Sequence, residues 1–174
     1  PYPAFVPDPD SYARPDIAHV THVALDLAAD FERKVLAGTA PLSLVCAAAA
    51  HEIILDCDKL NIQSVHTEHG ATTFSIGEAK PDHGVPLTIA ITPDVRTLTI
   101  VYETSPDAQA LQWLNAQQTA SGKPYLFSQG ESILTRAWAP SQDSPANRQT
   151  DEARLVVRAD LRVVRSAAQL TPDG

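Results

Sequence analysis

The chain has 174 residues, 44% of them hydrophobic and 20% charged, with a formal net charge of −8. A chain of that length buries roughly 70% of its unfolded surface, so it needs neither a disulfide framework nor a metal to fold. The acidic balance argues against nucleic acid and anionic membrane as partners, since clustered Lys and Arg hold both, and no stretch reaches the ~20 apolar residues that span a bilayer.

Residues 1–15 contain five prolines and read as an extended surface arm. Residues 1–9 show no basic or apolar leader pattern, so no signal peptide is expected. From His19 the pattern has period two. Val23, Leu25, Leu27 and Ala29 alternate with His22, Ala24, Asp26 and Ala28, which predicts a half-buried strand. Residues 30–34 form a polar turn. A second strand follows over 35–45, with Leu36, Gly38, Ala40, Leu42 and Leu44 on one face, giving an antiparallel hairpin. Residues 47–50 are too short for a stable helix and read as a loop or single turn.

Further short strands are predicted over 53–55, 62–65, 74–76, 87–91 and 98–102, separated by turn residues such as His69-Gly70 and Pro93-Asp94. Ser105, Pro106 and Asp107 make a helix start, and Ala108, Leu111 and Leu114 have helical spacing. At most one short helix or turn is expected there, over 105–114. Residues 125–127, 133–138 and 151–157 read as strands, and 140–147 as an irregular loop. Residues 166–174 are polar and expected to fray. No internal repeat, heptad or linker divides the chain, so 1–174 reads as one all-β domain of the sandwich or barrel class.

Few residues form a chemical constellation. His66 and His69 are spaced i, i+3 in a turn rather than at the i, i+4 of a helical zinc site. His51-Glu52 lacks the second His of H-E-x-x-H. There is no G-x-S-x-G elbow and no glycine-rich phosphate loop. Cys46 and Cys57 lie within or beside apolar runs and read as reduced thiols, which predicts a cytosolic protein. The exception is Tyr125-Leu126-Phe127-Ser128-Gln129-Gly130-Glu131, followed by Arg136, Trp138, Pro140 and Gln142-Asp143-Ser144-Pro145, where an apolar strand ends in a polar apex that reads either as a solvated loop or as a binding edge. Gly permits close approach of a ligand backbone, and a carboxylate there can bind an ammonium through charge-assisted hydrogen bonds.

Tyr102-Glu103-Thr104-Ser105-Pro106, Ala110-Leu111-Gln112-Trp113-Leu114, Pro124-Tyr125-Leu126-Phe127-Ser128-Gln129-Gly130-Glu131 and Trp138-Ala139-Pro140-Ser141-Gln142-Asp143-Ser144-Pro145 resemble, in order, a block in the leukotriene-hydrolase branch of the zinc aminopeptidases. Residues 10–22 and 31–39 also resemble that branch. The resemblance implies a saddle-shaped all-β N-terminal domain, built on a large mixed sheet with smaller antiparallel sheets. It implies that Gln129, Gly130 and Glu131 wall a substrate cleft, with Glu131 gripping the free α-amino group of a peptide and Gln129 lining the first side-chain pocket. The family's zinc motif is missing, so the resemblance implies a non-catalytic chain without a cofactor of its own, whose partner is the catalytic domain of a full-length enzyme. The alternative is a free-standing or engineered monomeric β-scaffold that binds a protein.

Ala139, Asn147, Asp151, Arg158 and Arg165 stand where relatives carry larger apolar residues, an aromatic or a proline. These changes run toward small, polar or charged. They predict a former interdomain face made soluble by engineering or divergence, because a bare apolar patch would aggregate. The absence of methionine fits a trimmed or designed chain. Asp151, Arg158 and Arg165 are expected to lie exposed on one broad face.

Overall fold

A computed structural model describes residues 6–170 of the chain. Period-two alternation produces most of its strands. β1 (Ala18–Asp30) and β2 (Val35–Cys46) form the expected hairpin. β3 (Glu52–Cys57), β4 (Asn61–Thr67), β5 (Gly70–Ala71), β6 (Phe74–Ile76), β7 (Val85–Ala90) and β8 (Thr97–Glu103) follow. The remaining strands are β9 (Leu111–Leu114), β10 (Tyr125–Ser128) and β11 (Thr150–Val156).

The fold is all-β. The largest sheet has the order β11-β1-β2-β8-β4-β5, and it is mixed because β11 runs parallel to β1 while the other pairs are antiparallel. A three-stranded antiparallel sheet, β3-β7-β6, and a two-stranded one, β10-β9, complete it. One hydrophobic cluster draws Leu25, Leu27, Leu42 and Ile100 from the large sheet and Ile53, Leu55, Leu87 and Ile89 from the three-stranded sheet. Burying such side chains contributes about 1.5–3 kcal/mol each.

β1 contains a feature that simple alternation hides. A bulge between Val20 and His22 shifts the register, so Ala18 and Val20 face the core before it and Val23, Leu25 and Leu27 after it. A bulge turns a strand by one residue and moves the opposite set of side chains inward. On β2, Gly38 meets the β1 backbone so closely that a Cβ would lie 2.1 Å from the Asp26 carbonyl oxygen. That contact excludes any side chain.

Three sequence expectations change. Residues 111–114 are a strand, not part of a helix, because Leu111 to Leu114 pair antiparallel with Tyr125 to Ser128. A 3-10 turn falls instead at Ala116–Gln118, where Asn115 accepts hydrogen bonds from the backbone of Gln117 and Gln118. Residues 133–138 are not a strand. They form a turn and the 3-10 segment Thr135–Ala137, which carries Arg136 inward. The arm is also not loosely laid on the surface: Ala13 is 7% exposed, and Ser11 and Tyr12 bond to a buried carboxylate. Residues 1–5 of that arm and 171–174 of the expected frayed end lie outside the described residues.

Candidate functional site

The polar apex follows β10. Gln129 stays in line with the sheet by donating its N–H to the Ala110 carbonyl at 2.9 Å. The chain then turns: Leu134 N–H donates to the Gly130 carbonyl at 2.9 Å, and the Thr135 hydroxyl donates to the same oxygen at 3.4 Å. Gln129 also turns back on the loop, its Oε1 accepting from the Glu131 N–H at 3.0 Å. Gln129 and Glu131 are exposed and Gly130 is half-buried. A Cβ on Gly130 would sit 2.8 Å from the Thr135 hydroxyl oxygen, so packing within the loop already favours glycine there. The Glu131 carboxylate has no hydrogen-bond or ion-pair partner among the described residues.

This loop is fastened from below by Arg136, which is 2% exposed. Its guanidinium donates to the His83 carbonyl at 2.7 Å, the Asp10 carbonyl at 2.8 Å and the Asp143 carbonyl at 3.1 Å. Its Nε lies 3.2 Å from Asp143 Oδ2 and a terminal nitrogen lies 4.0 Å from Asp56 Oδ2. Asp56 is fully buried on β3. Its carboxylate accepts from the Ser11 hydroxyl at 2.6 Å, the Tyr12 N–H at 2.7 Å and the Asp143 N–H at 2.9 Å. Burial pushes its pKa up, and those donors together with Arg136 oppose the shift. A buried charge of this kind is tolerated only when its lone pairs are satisfied. Backbone bonds between Asp56 and Ser141 tie β3 to the loop after Arg136.

Gln142, 3% exposed, fixes the same loop to β1. Its Oε1 accepts from the Val20 N–H at 2.9 Å and its Nε2 donates to the Ala18 carbonyl at 2.8 Å. The amide takes the place of a neighbouring strand beside the β1 bulge. Reasoning from residue chemistry alone singles out neither Asp56 nor Gln142. Asp56 carries only the signal of a polar residue beside an apolar run, and Gln142 stands in the sequence as one member of the polar stretch that follows the apex.

The surface carries two clefts, of which the first adjoins this region. The first, about 290 Å3, is lined by Ser132, Thr135, Ser141, Asp143, Ser144 and Asn147 among others. The second, about 280 Å3, includes Phe31, Trp113, Lys34, Gln118 and Arg158, with Phe31 and Trp113 edge to face at 5.1 Å.

The five residues expected to mark a former interface separate. Asp151 and Arg165 are brought together as an ion pair, 45% and 29% exposed at their side chains. Arg158 pairs with Asp160 at 3.1 Å and lines the second cleft. Asn147 is half-buried in the first cleft. Ala139 is 4% exposed and belongs to the core, which corrects its assignment to that face: its N–H closes on the Thr135 carbonyl at 2.9 Å and the turn carries it inward.

The histidines and cysteines do not converge. His69 sits 3.0 Å from Asp94, and Glu68 between His66 and His69 caps the Arg96 and Thr97 N–H groups instead. Among the described residues no group of three or more His, Cys, Asp and Glu could hold a metal. Cys57 is fully buried, which holds its thiol protonated, and burial also raises the pKa of Cys46. Neither has the lowered pKa of a nucleophilic cysteine.

Comparison with known proteins adds to this geometry. The family model described as the peptidase M1 N-terminal domain matches residues 8–170. Leucine aminopeptidase 2 of Yarrowia lipolytica is 34% identical over 163 residues, covering 91% of this chain and 25% of that protein. Leukotriene A-4 hydrolase of Xenopus laevis is 34% identical over 168 residues, covering 92% of this chain and 27% of that protein. The solved structure of yeast LTA4 hydrolase in complex with bestatin superposes with a TM-score of 0.90 at 32% identity, over 99% of this chain and 28% of that one. An M1 zinc metallopeptidase from Deinococcus radiodurans, at 17% identity and a TM-score of 0.58, shares the fold. The chain thus spans about a quarter of the length of the relatives it matches.

Proposed function

Because the chain belongs to the peptidase M1 N-terminal domain family, we propose that it supplies the amine-recognising wall of an aminopeptidase cleft and performs no hydrolysis alone. The observation that carries this reading is the Glu131 carboxylate. It stands exposed beyond the end of β10, without a partner among the described residues, on a loop whose base is fixed by a nearly inaccessible arginine. A carboxylate whose own charge is not spent on the protein is available to a ligand ammonium, and charge-assisted hydrogen bonds of that type are the strong ones. A fixed loop base lowers the backbone part of the ordering cost on binding and leaves the side-chain rotamers of Glu131 to be ordered by the ligand.

Selection of a free α-amine by such a group makes a peptidase act from the N-terminus. Gln129, beside it, faces the same apex and fits the role of contacting the first side chain. The chemistry of bond cleavage lies elsewhere. The family's zinc supplies a Lewis acid and an activated water, but this chain's donors do not fit it. His51-Glu52 is followed by Ile53, Ile54 and Leu55, so Leu55 stands where H-E-x-x-H needs its second His. The proposed partner is therefore a metal-bearing catalytic domain docked against this one.

The test is a chimera in which this chain replaces the matching quarter of yeast LTA4 hydrolase. Glu131→Gln is expected to raise KM for an aminoacyl anilide about tenfold or more, the value of one charge-assisted bond. Unchanged KM and kcat in an active chimera would refute the role given to Glu131.

A further inference from the structure

Three buried side-chain polar atoms lack a hydrogen-bond partner among the described residues: Ser141 Oγ, Asn147 Oδ1 and Trp113 Nε1. The residues that carry two of the three, Ser141 and Asn147, line one cleft, the first described above. Buried polar groups without partners are uncommon, and each calls for an occupant. Ser141 is 4% exposed, and its hydroxyl oxygen has no hydrogen-bond partner among the described residues, although its backbone is held on both sides by Asp56. The Asn147 amide nitrogen donates to Gln149 Oε1 at 3.2 Å, leaving the carbonyl oxygen as the unpaired end.

The remaining lining has one sign. None of the nine lining residues is Lys, Arg or His, and Asp143 brings a carboxylate. One of its oxygens, Oδ2, is taken by Arg136. Arg136 itself is 2% exposed and its donors are engaged. Around it the carboxylates of Asp8, Asp56 and Asp143 outnumber the single guanidinium. The cleft thus presents hydrogen-bond acceptors and net negative charge. At about 290 Å3 it falls at the lower bound of small-molecule pockets, roughly 300 Å3, and suits one head group rather than a drug-sized ligand.

We infer that this cleft is a binding site for a hydrogen-bond-donating cation, a primary ammonium or a guanidinium, held by Asn147 Oδ1, Ser141 Oγ and Asp143. The cation is either a Lys or Arg side chain of a protein segment or a free small amine. The site stands apart from the α-amine role given to Glu131, which does not line it, so either reading can fail without the other.

Amide-resolved NMR titration of the chain tests this at constant ionic strength. Methylammonium and N-methylguanidinium are compared with tetramethylammonium, which carries the same charge and no N–H donor. The two donors are expected to shift the Ser141, Asp143 and Asn147 amides saturably, and tetramethylammonium to leave them unmoved. Ser141→Ala and Asn147→Ala are each expected to weaken binding about fivefold, the value of one ordinary hydrogen bond. Ser141→Ala deletes a hydroxyl that holds nothing in the fold, so its thermal midpoint stays the same or rises while affinity falls. In a second arm, the peptide acetyl-Gly-Arg-Gly-amide shifting the same amides assigns the site to a protein side chain. A response to the small cations alone assigns it to a free amine. Absence of saturable shifts with either donor overturns the inference, as does an equal response to tetramethylammonium.

Discussion

Arg136 Nε lies 3.2 Å from Asp143 Oδ2, and both side chains are largely buried, at 3% and 13% exposed. The pair closes a seven-residue loop directly after the polar apex, and through Asp56 it joins that loop to β3 and to the N-terminal arm. The rigidity of the apex therefore depends on groups drawn from distant parts of the chain.

Replacing Arg136 by Met removes the guanidinium at the centre of this cluster and leaves two carboxylates and three carbonyls short of its charge or its donors. Breaking one partner of a buried ionic network costs about 3–5 kcal/mol. Urea unfolding of Arg136→Met is expected to show a loss of that order. Arg136→Lys should recover only part of it, because an ammonium cannot reproduce the planar fork.

Gln142→Leu puts an apolar side chain of similar size in place of the amide and deletes both bonds to β1. The Val20 N–H and the Ala18 carbonyl are then left unpaired beside a bulge. Each unsatisfied buried group costs about 1–3 kcal/mol, so a combined loss of roughly 2–6 kcal/mol is expected. Hydrogen exchange at Val20 should accelerate more than exchange in the middle of β8.

Much of this was legible in the sequence. Val23, Leu25 and Leu27, and again Leu98, Ile100 and Tyr102, alternate so regularly that their strands follow from period two alone. The short run at 111–114 misleads, because Ala108, Leu111 and Leu114 fit helical spacing equally well. What decides it is pairing with Tyr125 to Ser128, a contact no local pattern carries. Residues 133–138 mislead for a related reason: the apolar run contains Arg136, and the backbone coils to bring that charge to Asp143, His83 and Asp10. Asp56 and Gln142 were the least legible, since the partners of Asp56 lie 44 to 87 residues away and those of Gln142 lie 122 or more. The Gln129 to Glu131 apex stood out through its polarity at a strand end, while the cleft beside it depends on two unpaired atoms that only coordinates reveal.

Glu68 is one source of pH-dependent stability outside this network. The Glu68 carboxylate is slightly buried, which acts to raise its pKa, but it accepts from the Arg96 N–H, the Thr97 N–H and the Thr97 hydroxyl, and these bring it from 4.5 down to about 2. A depressed folded-state value stabilises above the unfolded carboxylate range and is lost as pH falls through it. The difference in thermal midpoint between the parent chain and Glu68→Gln is therefore expected to be constant from pH 7 to about pH 5. It should shrink as pH falls from about 4.5 toward 2.

Glu131→Gln is expected to leave the stability of the chain unchanged within about 0.5 kcal/mol, the range for an exposed residue without structural contacts. Equilibrium unfolding of both forms checks this. A larger loss would give Glu131 a structural role in place of the ligand-facing one.

Whether this chain holds only one wall of a cleft is tested most directly by its own hydrolytic activity. The purified chain is incubated with one equivalent of zinc and leucine p-nitroanilide, with and without a chelator. The account predicts release of p-nitroaniline at the uncatalysed rate under both conditions. Turnover above that rate, abolished by the chelator, would contradict it.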